Sequence, residues 1–307
     1  MSNQARFVII ERKTRLTELV ERFNTWSQAR FYLEHAGMDV NDYLEEHDQY
    51  KAVLFQIESM VKPLGRLARL ERTNLDTYQF HSEDIVLVIG QDGLVANTLK
   101  YLDGQSVVAI NPDPSRWGGQ LLPFQVDNSE QAIKALLAGK VSIADIRLAE
   151  AKTNDGQTML AVNDLFIGPK THASARYELA WGNKTETQSS SGIIVSTGLG
   201  RTGWLTSILT GAKNLTGTGD KLSSLVSMEW GSDYLYFAVR EPFPSQTTQT
   251  DLTIGRVDNQ HPLSVTSYMP ANGVVFSDGM ENDAIEFNAG TRLNIGLAKK
   301  VGKLVML

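Results

Sequence analysis

The chain has 307 residues, of which 42% are hydrophobic and 21% are charged, and its net charge at pH 7 is −6. That length predicts two domains, and that composition is typical of a soluble globular protein. The negative charge argues against a general nucleic-acid surface, and the absence of cysteine excludes disulfides, thiolate zinc sites and cysteine nucleophiles.

The first 125 or so residues alternate between strand and helix patterns. Helices are predicted at 16–23, about 40–61 and 94–102, and strands at 7–10, 66–71, 85–89 and 106–112. Strands that alternate with helices favour right-handed crossovers and a mostly parallel sheet. We therefore expect an α/β nucleotide-fold domain over residues 1–124.

The pattern changes after residue 124. One short helix at 129–139 is followed by strand-like runs joined by Asn, Asp, Gly and Ser turns, at 141–152, 158–168, 175–182, 192–197, 223–230 and 234–241. Such turns indicate antiparallel pairing, so residues 125–289 are expected to form a mainly β domain. A cleft between the two domains is the default place to expect a ligand.

Targeting, membrane and metal signals are not visible in the sequence. No apolar run approaches the roughly 20 residues that cross a bilayer, and the start MSNQARFVIIERK resembles no signal or transit peptide. The histidines show no metal-ligand spacing; they lie at 35, 47, 81, 172 and 261. We expect a cytoplasmic protein with no metal site, nucleic-acid partner or membrane partner.

The most informative stretch is IVLVIGQDGLVANTL at 85–99. An all-apolar strand leads through Gly-Gln-Asp-Gly into a helix, and the amides at such a helix start point towards ligands. The two glycines, Gly90 and Gly93, let the backbone approach a ligand closely, and Asp92 is a carboxylate that could accept a proton. The alternative is a tight connector, since Asp-Gly is common in turns.

A second glycine cluster, GIIVSTGLGRTGW at 192–204, contains the G-x-G-x-x-G spacing of dinucleotide folds at Gly198, Gly200 and Gly203, with Asp220 beyond it. That motif needs a βαβ unit, whereas the residues that follow are rich in Gly and Thr. A loop that simply requires glycine is the favoured interpretation. No Walker A and no G-x-S-x-G motif occurs, so any phosphate contact must use another loop.

Asn163 and Asp164 interrupt an apolar strand pattern, AVNDLFIG. Buried polar side chains are costly without partners. They could be satisfied by the backbone, which is the usual outcome, or they could face a cleft and hold the hydroxyl groups of a ribose.

Taken in order, these segments resemble the NAD kinase family. IGQDGLVANTL resembles the family's strand followed by Gly-Gly-Asp-Gly, VNDLFIG its Asn-Glu/Asp strand, and SSGIIVSTGLGRTGW its Ser-Thr loop. NPDPSRWGGQL at 111–121, together with Ser-Ser-Gly and Trp204, is most similar to the mitochondrial-type branch. Further on, YFAVREP and VVFSDG resemble its last β segments.

The resemblance implies a fold and an activity. The fold is an α/β domain followed by a β-sandwich-like domain, with a C-terminal tail (about 290–307) that returns to the first domain. The activity is transfer of the γ-phosphoryl group of a nucleoside triphosphate to the adenosine ribose 2′-hydroxyl of NAD. Mg²⁺ would accompany ATP, and a homodimer or homotetramer is expected.

The resemblance also implies roles for individual residues. Asp92 would accept or orient the 2′-hydroxyl proton. The residues implied for phosphate and nucleotide binding are Gly90, Gln91, Gly93 and Asn111. Those implied for NAD binding are Asn163, Asp164, Ser191, Thr202, Gly203 and Trp204.

Three positions depart from the family pattern. Gln91 replaces the second glycine of Gly-Gly-Asp-Gly, Ser191 stands where many bacterial members have aspartate, and Arg201 is a bulky basic residue within the loop. Because Gln91 places a side chain beside the expected phosphates, one alternative is a catalytically weakened or inactive NAD-binding protein of the same family. A lipid or sugar kinase of the wider superfamily is another.

Overall fold

A computed structural model of the chain describes residues 5–217 and 227–306. The chain divides into two compact units: unit 1 is residues 1–144 with 303–307, and unit 2 is residues 145–302. The change in sequence pattern predicts the division at 124/125, before the helix Val126–Leu137. In the structure that helix belongs to unit 1, because it packs on the last two strands of that unit. No helix among the described residues has the length and apolarity needed to cross a membrane.

Unit 1 is built from strands and helices in alternation. Its elements are β1 (Ala5–Glu11), α1 (Arg15–Phe23), α2 (Trp26–His35), α3 (Val40–Val61), β2 (Gly65–Glu71), β3 (Asp84–Ile89), α4 (Asp92–Tyr101), β4 (Ser106–Asn111), β5 (Phe124–Gln125) and α5 (Val126–Leu137). The helix α3 begins and ends where its sequence pattern predicts. The helix α2 is not predicted, because only Ala29 and Leu33 of its ten residues are buried and they make no continuous apolar stripe.

The sheet of unit 1 is parallel, in the order β2-β1-β3-β4. Its strands are nearly continuous apolar runs, as expected where helices cover a parallel sheet. The apolar face of α3, with Tyr50, Leu54 and Ile57, packs on side chains of β1 and β3. Lys303 and Leu304 pair in parallel with the start of β4, so the end of the chain returns to the first domain as predicted, but residues 290–302 of the predicted tail belong to unit 2.

The order of these strands defines a binding edge. The chain passes from β1 to β2 on one side and then to β3 on the other side of β1, so the carboxyl ends of β1 and β3 lie at a topological switch point. Ligands of open parallel sheets bind at this place. Arg12 follows β1 there, and Gly90, Gln91 and Asp92 follow β3.

Unit 2 contains two sheets. Its elements are β6 (Ser142–Thr153), β7 (Thr158–Ala161), β8 (Asp164–Pro169), β9 (Ala175–Trp181), β10 (Lys184–Ser190), β11 (Ile193–Ser196), α6 (Trp204–Thr216), β12 (Leu235–Val239), β13 (Ile254–Val257), β14 (Leu263–Ser267), β15 (Gly273–Ser277), β16 (Met280–Glu286) and β17 (Arg292–Met306). One sheet has the order β10-β9-β14-β17-β6-β7, and the other, antiparallel throughout, has the order β13-β12-β11-β8-β15-β16.

Side chains of both sheets share one apolar core, which includes Leu165, Tyr177, Phe237 and Val265. Alternate residues of each strand enter this core, as in a β-sandwich. The predicted class, an α/β domain with a parallel sheet followed by a sandwich-like β domain, is therefore confirmed.

Three predicted elements of unit 2 differ from the structure. The run 158–168 is two strands, because the chain turns at Val162 and Asn163. Of the run 223–230, residues 223–226 lie outside the described residues, and residues 227–230 form no strand. The helix α6 occupies a segment whose Gly and Thr content predicts a loop; tertiary packing of Leu205 on Met228 and Ala238 overrides that low helix propensity.

Candidate functional site

The predicted site residues fall into two groups, one in each unit. In unit 1, Asp92 is the first residue of α4 and Gln91 is its N-cap. The half-buried Asp92 carboxylate accepts hydrogen bonds from the backbone amides of Gln120 and Leu121, at 2.9 and 3.0 Å. A carboxylate offers about four lone-pair sites. Asp92 is therefore oriented by the segment 120–121 and still has acceptor capacity for a ligand hydroxyl.

The two glycines around Asp92 differ in the space that a side chain would have at each position. A Cβ at Gly90 would lie 2.8 Å from a methyl of Leu94, so a larger residue there requires that side chain to shift. A Cβ at Gly93 would meet no atom of the described residues within 4 Å, and the residue has no positive φ, so neither packing against the described chain nor backbone conformation requires glycine there. The surface at Gly93, which is exposed, is consequently open beside Asp92.

Gln91 fits its position without strain. Its φ of −110° and ψ of 165° are extended values that any residue adopts, and its carbonyl accepts the first hydrogen bonds of α4. Its side chain makes no capping bond. The backbone therefore tolerates glutamine where the family has glycine.

Asn111, implied as a nucleotide-binding residue, uses both ends of its amide to hold the segment 112–121. Its nitrogen donates to the carbonyl of Trp117 at 2.8 Å, and its oxygen accepts from the amide of Asp113 at 3.0 Å. Its side chain is 6% exposed. In this structure Asn111 therefore shapes the segment whose far end holds Asp92.

The same segment is fixed to α3 by residues that sequence reasoning missed. Arg116 forms an ion pair with Asp42, and this guanidinium keeps the pKa of that carboxyl below its usual value. The guanidinium of Arg12 lies 5.0 Å from the ring centres of both Tyr50 and Trp117. These contacts join positions far apart in the chain, so no local pattern indicates them.

Arg12 also pairs with Glu46, which lies on α3 and is almost fully buried. Burial alone would raise the pKa of Glu46, but hydrogen bonds from Arg15 and Arg12 outweigh it and lower the pKa. The carboxylate therefore stays charged at neutral pH and keeps both arginines beside the switch point of the sheet.

In unit 2, Asn163 and Asp164 lie at the turn between β7 and β8. The hydroxyl of Thr197 donates to the carbonyl of Val162 at 2.5 Å, and its amide donates to the carbonyl of Asn163 at 2.9 Å. The side chain of Asn163 makes no hydrogen bond with any residue in the described part of the chain. The backbone of this turn is thus held by the protein, and the Asn163 amide is available to a ligand.

Asp164 is a buried carboxyl group with a perturbed pKa. The residue is 9% exposed, and its buried Oδ1 has no hydrogen-bond partner among the described residues. Burial raises the pKa of Asp164 to about 7; a hydrogen bond from Ser196 lowers it, and the charge of Asp278 raises it further. At neutral pH the group is therefore partly protonated and can donate as well as accept a hydrogen bond.

The glycine cluster at 198–203 lies over Asp164. A Cβ at Gly198 would lie 1.7 Å from the carbonyl oxygen of Glu229, and one at Gly200 would lie 2.2 Å from that of Asn163. Close backbone packing therefore explains both glycines. A Cβ at Gly203 would lie 3.3 Å from the carbonyl oxygen of Gly200, which is a tight contact, and 3.8 Å from Oδ2 of Asp164, so this exposed glycine lies directly beside the carboxyl.

The dinucleotide-fold interpretation of this cluster does not hold. Helix α6 does follow β11, but the next strand among the described residues, β12, pairs antiparallel to β11, so the described chain forms no βαβ unit here. Asp220, the acidic residue at the expected distance, lies outside the described residues.

Trp204 begins α6 and belongs to an aromatic group on the outer face of the antiparallel sheet. Its ring is nearly parallel to that of Phe166, at 7° with centres 5.6 Å apart, and it stacks more loosely on Phe276. Arg240 lies 5.3 Å above it. These side chains and Lys170 line a cavity of about 190 Å³.

The remaining NAD-binding candidates border this group. The amide of Ser191 donates to the carbonyl of Arg240 at 2.9 Å, and Thr202 lies exposed two residues before Trp204. Arg201 is exposed too. The structure thus places Gly203 and Trp204 beside the Asn163–Asp164 turn, whereas Ser191 lies at the other end of the β8–β11 ladder, in which Ser196 pairs with Asp164 and Ile193 with Ile167.

Comparison with known proteins addresses the fold. No family model matches this chain, and no curated protein matches it in sequence. Among solved structures, an NAD kinase from Archaeoglobus fulgidus in complex with ATP matches with a TM-score of 0.61 and 14% identity, over 98% of this chain and 93% of that one. A yeast NADH kinase complexed with NADH matches with a TM-score of 0.60 and 10% identity, over 100% and 84%. This chain has the NAD kinase fold.

Within the NAD kinase fold, the two groups described above occupy distinct parts of the chain. Asp92 lies at the carboxyl edge of the parallel sheet, and the Asn163–Asp164 turn belongs to the β-sandwich. The coverage of almost the whole chain means that both units take part in the similarity.

Proposed function

We propose that this chain is an NAD kinase, which transfers the γ-phosphoryl group of a nucleoside triphosphate to the adenosine ribose 2′-hydroxyl of NAD. The observation that carries the proposal is the placement of Asp92. It lies on the first turn of α4 at the switch point of the sheet, and two backbone amides orient it without using all its acceptor sites. A carboxylate there can take the proton of an attacking hydroxyl.

The donor side of the reaction uses the start of α4. The amides of the first turn and the helix dipole favour phosphate, and the open surface at Gly93 lets phosphates approach closely. Phosphoryl transfer depends mainly on positioning and charge stabilisation. The donor enters as its Mg²⁺ complex, and Asp92 has acceptor capacity left for the hydroxyl.

The NAD side uses the turn at Asn163 and Asp164. A ribose has two neighbouring hydroxyl groups, each a donor and an acceptor. The carboxyl of Asp164, whose Oδ2 lies beside the exposed Gly203, and the amide of Asn163 offer matching groups. Trp204 supplies an aromatic surface beside this turn.

A coupled assay tests the proposal directly. We expect NADP⁺ to form from NAD⁺ and MgATP, detected with an NADP⁺-specific dehydrogenase, and we expect the same chain without a triphosphate donor to form none. Absence of NADP(H) with every nucleoside triphosphate and with polyphosphate, using either NAD⁺ or NADH, would exclude kinase activity.

A second candidate function is NAD binding without phosphoryl transfer, and Gln91 is the observation that favours it. Glutamine here places a side chain at the N-cap of α4, beside the amides that would hold phosphates. We expect Gln91→Gly to lower the KM for ATP by about threefold to tenfold if the side chain obstructs the donor, a gain of roughly 1 kcal/mol. Steady-state kinetics with ATP as the varied substrate measures this.

Gln91→Ala is the matched control for this experiment, because it shortens the side chain while avoiding the added backbone freedom of glycine. Both variants should lower the KM for ATP if obstruction is the cause. If the wild-type chain is inactive and both variants gain activity, the natural protein binds NAD without transferring phosphate. An unchanged KM for ATP in both variants would show that Gln91 does not impede the donor.

The oligomeric state, the branch of the family and the cellular compartment are separate predictions. We expect a homodimer or homotetramer of the mitochondrial sequence type that acts in the cytoplasm. Light scattering of the purified chain would measure the assembly, and a mass of one chain, 33.9 kDa, would contradict it.

A further inference from the structure

The hairpin that joins β15 to β16 carries a side chain that neither turn geometry nor strand pairing requires. Asp278 and Gly279 are its two loop residues, with φ of 54° and 71°, and Ser277 pairs with Met280 across it. These values are those of a type I′ turn, in which Asn-Gly, Asp-Gly and Gly-Gly are all accepted. The turn by itself does not explain a carboxylate at 278.

The carboxylate of Asp278 is directed at the Asn163–Asp164 turn. It accepts hydrogen bonds from three consecutive backbone amides: Val162 at 3.0 Å, Asn163 at 2.6 Å and Asp164 at 3.2 Å. In return, the amide of Asp278 donates to the carbonyl of Asp164 at 2.9 Å. Bonds from backbone amides to an ionised carboxylate are among the stronger hydrogen bonds in proteins.

The turn is therefore held from two directions. Thr197 binds the carbonyls of Val162 and Asn163, and Asp278 binds the amides of residues 162–164. Because the backbone of the turn is fixed in this way, the Cα–Cβ bonds of Asn163 and Asp164 have defined directions. Loss of either anchor would leave the turn with unpaired backbone groups and freedom to rotate.

We propose that Asp278 is a positioning residue that sets the direction of Asn163 and Asp164 for NAD binding, through its hydrogen bonds to their backbone. This inference rests on the proposed function, because it concerns the NAD side of that site. Asp278 acts through the turn and has no contact with the reacting atoms in this scheme.

Two substitutions test the inference in the full chain. Asp278→Gly keeps the type I′ turn and removes all three side-chain bonds, so we expect the KM for NAD to rise about tenfold or more. Asp278→Asn keeps one acceptor oxygen and the turn, so we expect a smaller rise, about threefold. The KM for ATP should stay within about twofold of the wild type in both, because the donor residues belong to unit 1.

The matched control is Asn272→Gly. Asn272 is also a non-glycine residue at positive φ, 62°, and lies in the turn at the opposite end of β15. It tests the effect of a glycine in a turn of the same sheet without touching residues 162–164, and it should leave both KM values unchanged. Circular dichroism and thermal unfolding establish the folded fraction before any kinetics.

The possible outcomes are distinct. A selective rise in the KM for NAD, graded from Asn to Gly, supports the inference. Equal losses of activity whether NAD or ATP is the varied substrate, in proportion to the folded fraction, would overturn it while the proposed function stands. So would wild-type KM values for NAD in both variants. A wild-type chain that neither binds NAD in calorimetry nor forms NADP⁺ would overturn the proposed function and this inference together.

Discussion

Replacing Asp92 with asparagine should abolish most NADP⁺ formation while leaving the chain folded. A positioned general base contributes about 10²- to 10⁴-fold to a rate, and asparagine cannot accept a proton. We therefore expect kcat to fall by about 10²- to 10⁴-fold, measured in the coupled assay. The KM for NAD should change far less, because the residues proposed to bind NAD belong to the other unit.

The geometry around Asp92 predicts a limited structural effect of this substitution. One carboxylate oxygen becomes an amide nitrogen that faces the backbone N–H of Gln120 or Leu121, so one hydrogen bond is lost. That loss should lower the free energy of unfolding by about 1–3 kcal/mol. Urea unfolding separates this effect from the loss of turnover.

Asp103→Asn is the matched control, since Asp103 is an exposed carboxylate that lies just beyond the other end of α4. It removes the same charge from the same unit and should leave kcat within about twofold. A wild-type kcat in Asp92→Asn would show that Asp92 is not the base. A loss of the same size in Asp103→Asn would point to a general electrostatic effect instead.

Much of unit 1 can be predicted because its signals are local. The start of α3 is marked by Asp39, whose side chain caps the helix, and its end by Pro63 and Gly65. The apolar run of β3 leads directly into Gly-Gln-Asp-Gly, so the position of Asp92 at a helix start follows from the same few residues.

The missed features depend on contacts that are remote in sequence. Asp278 lies 115 residues from Asn163, and Arg116 lies 74 residues from Asp42, so no periodicity relates them. Helix α6 is another example, because its Gly and Thr content is overridden by burial of Leu205. Asp278 is not singled out by the sequence, because an Asp-Gly pair is common in hairpin turns and gives no sign of where the carboxylate points.

The glycines at 198 and 200 show why a motif alone is weak evidence. Their spacing matches a phosphate-binding loop, yet each is explained by a carbonyl oxygen, of Glu229 or of Asn163, lying where a Cβ would be. Gly93 is the reverse case, because a Cβ there would meet no described atom within 4 Å, which leaves open space beside Asp92. The structure thus distinguishes glycines that close backbone packing requires from a glycine that leaves room for a ligand.

The buried carboxyl group of Asp164 predicts an unusual pH dependence of stability. Its pKa is about 7 in the folded chain and near 4 when exposed. Between these values the folded state keeps the proton and the unfolded state releases it, so stability falls as pH rises from about 4 to about 7 and levels off above that. The contribution lost is on the order of a few kcal/mol.

Asp164→Asn should remove this dependence, because asparagine has a similar shape and cannot ionise. We expect the variant to be close to wild type in its free energy of unfolding at pH 5 and more stable by about 1–3 kcal/mol at pH 8. Urea unfolding followed by tryptophan fluorescence measures the difference, since three of the five tryptophans lie in unit 2.

Asp251→Asn, which removes an exposed carboxylate from the same unit, is the control and should leave the pH dependence unchanged. The higher stability of Asp164→Asn at pH 8 should be accompanied by weaker NAD binding if Asp164 holds a ribose hydroxyl. The reason is that the amide cannot reproduce both the donor and acceptor directions of a carboxyl. A variant whose stability runs parallel to wild type from pH 5 to pH 8 would show that burial does not hold the proton on Asp164. A stabilised variant with unchanged NAD affinity would keep the burial argument but remove Asp164 from the binding site, leaving Asn163 as the polar side chain of that turn available to the substrate.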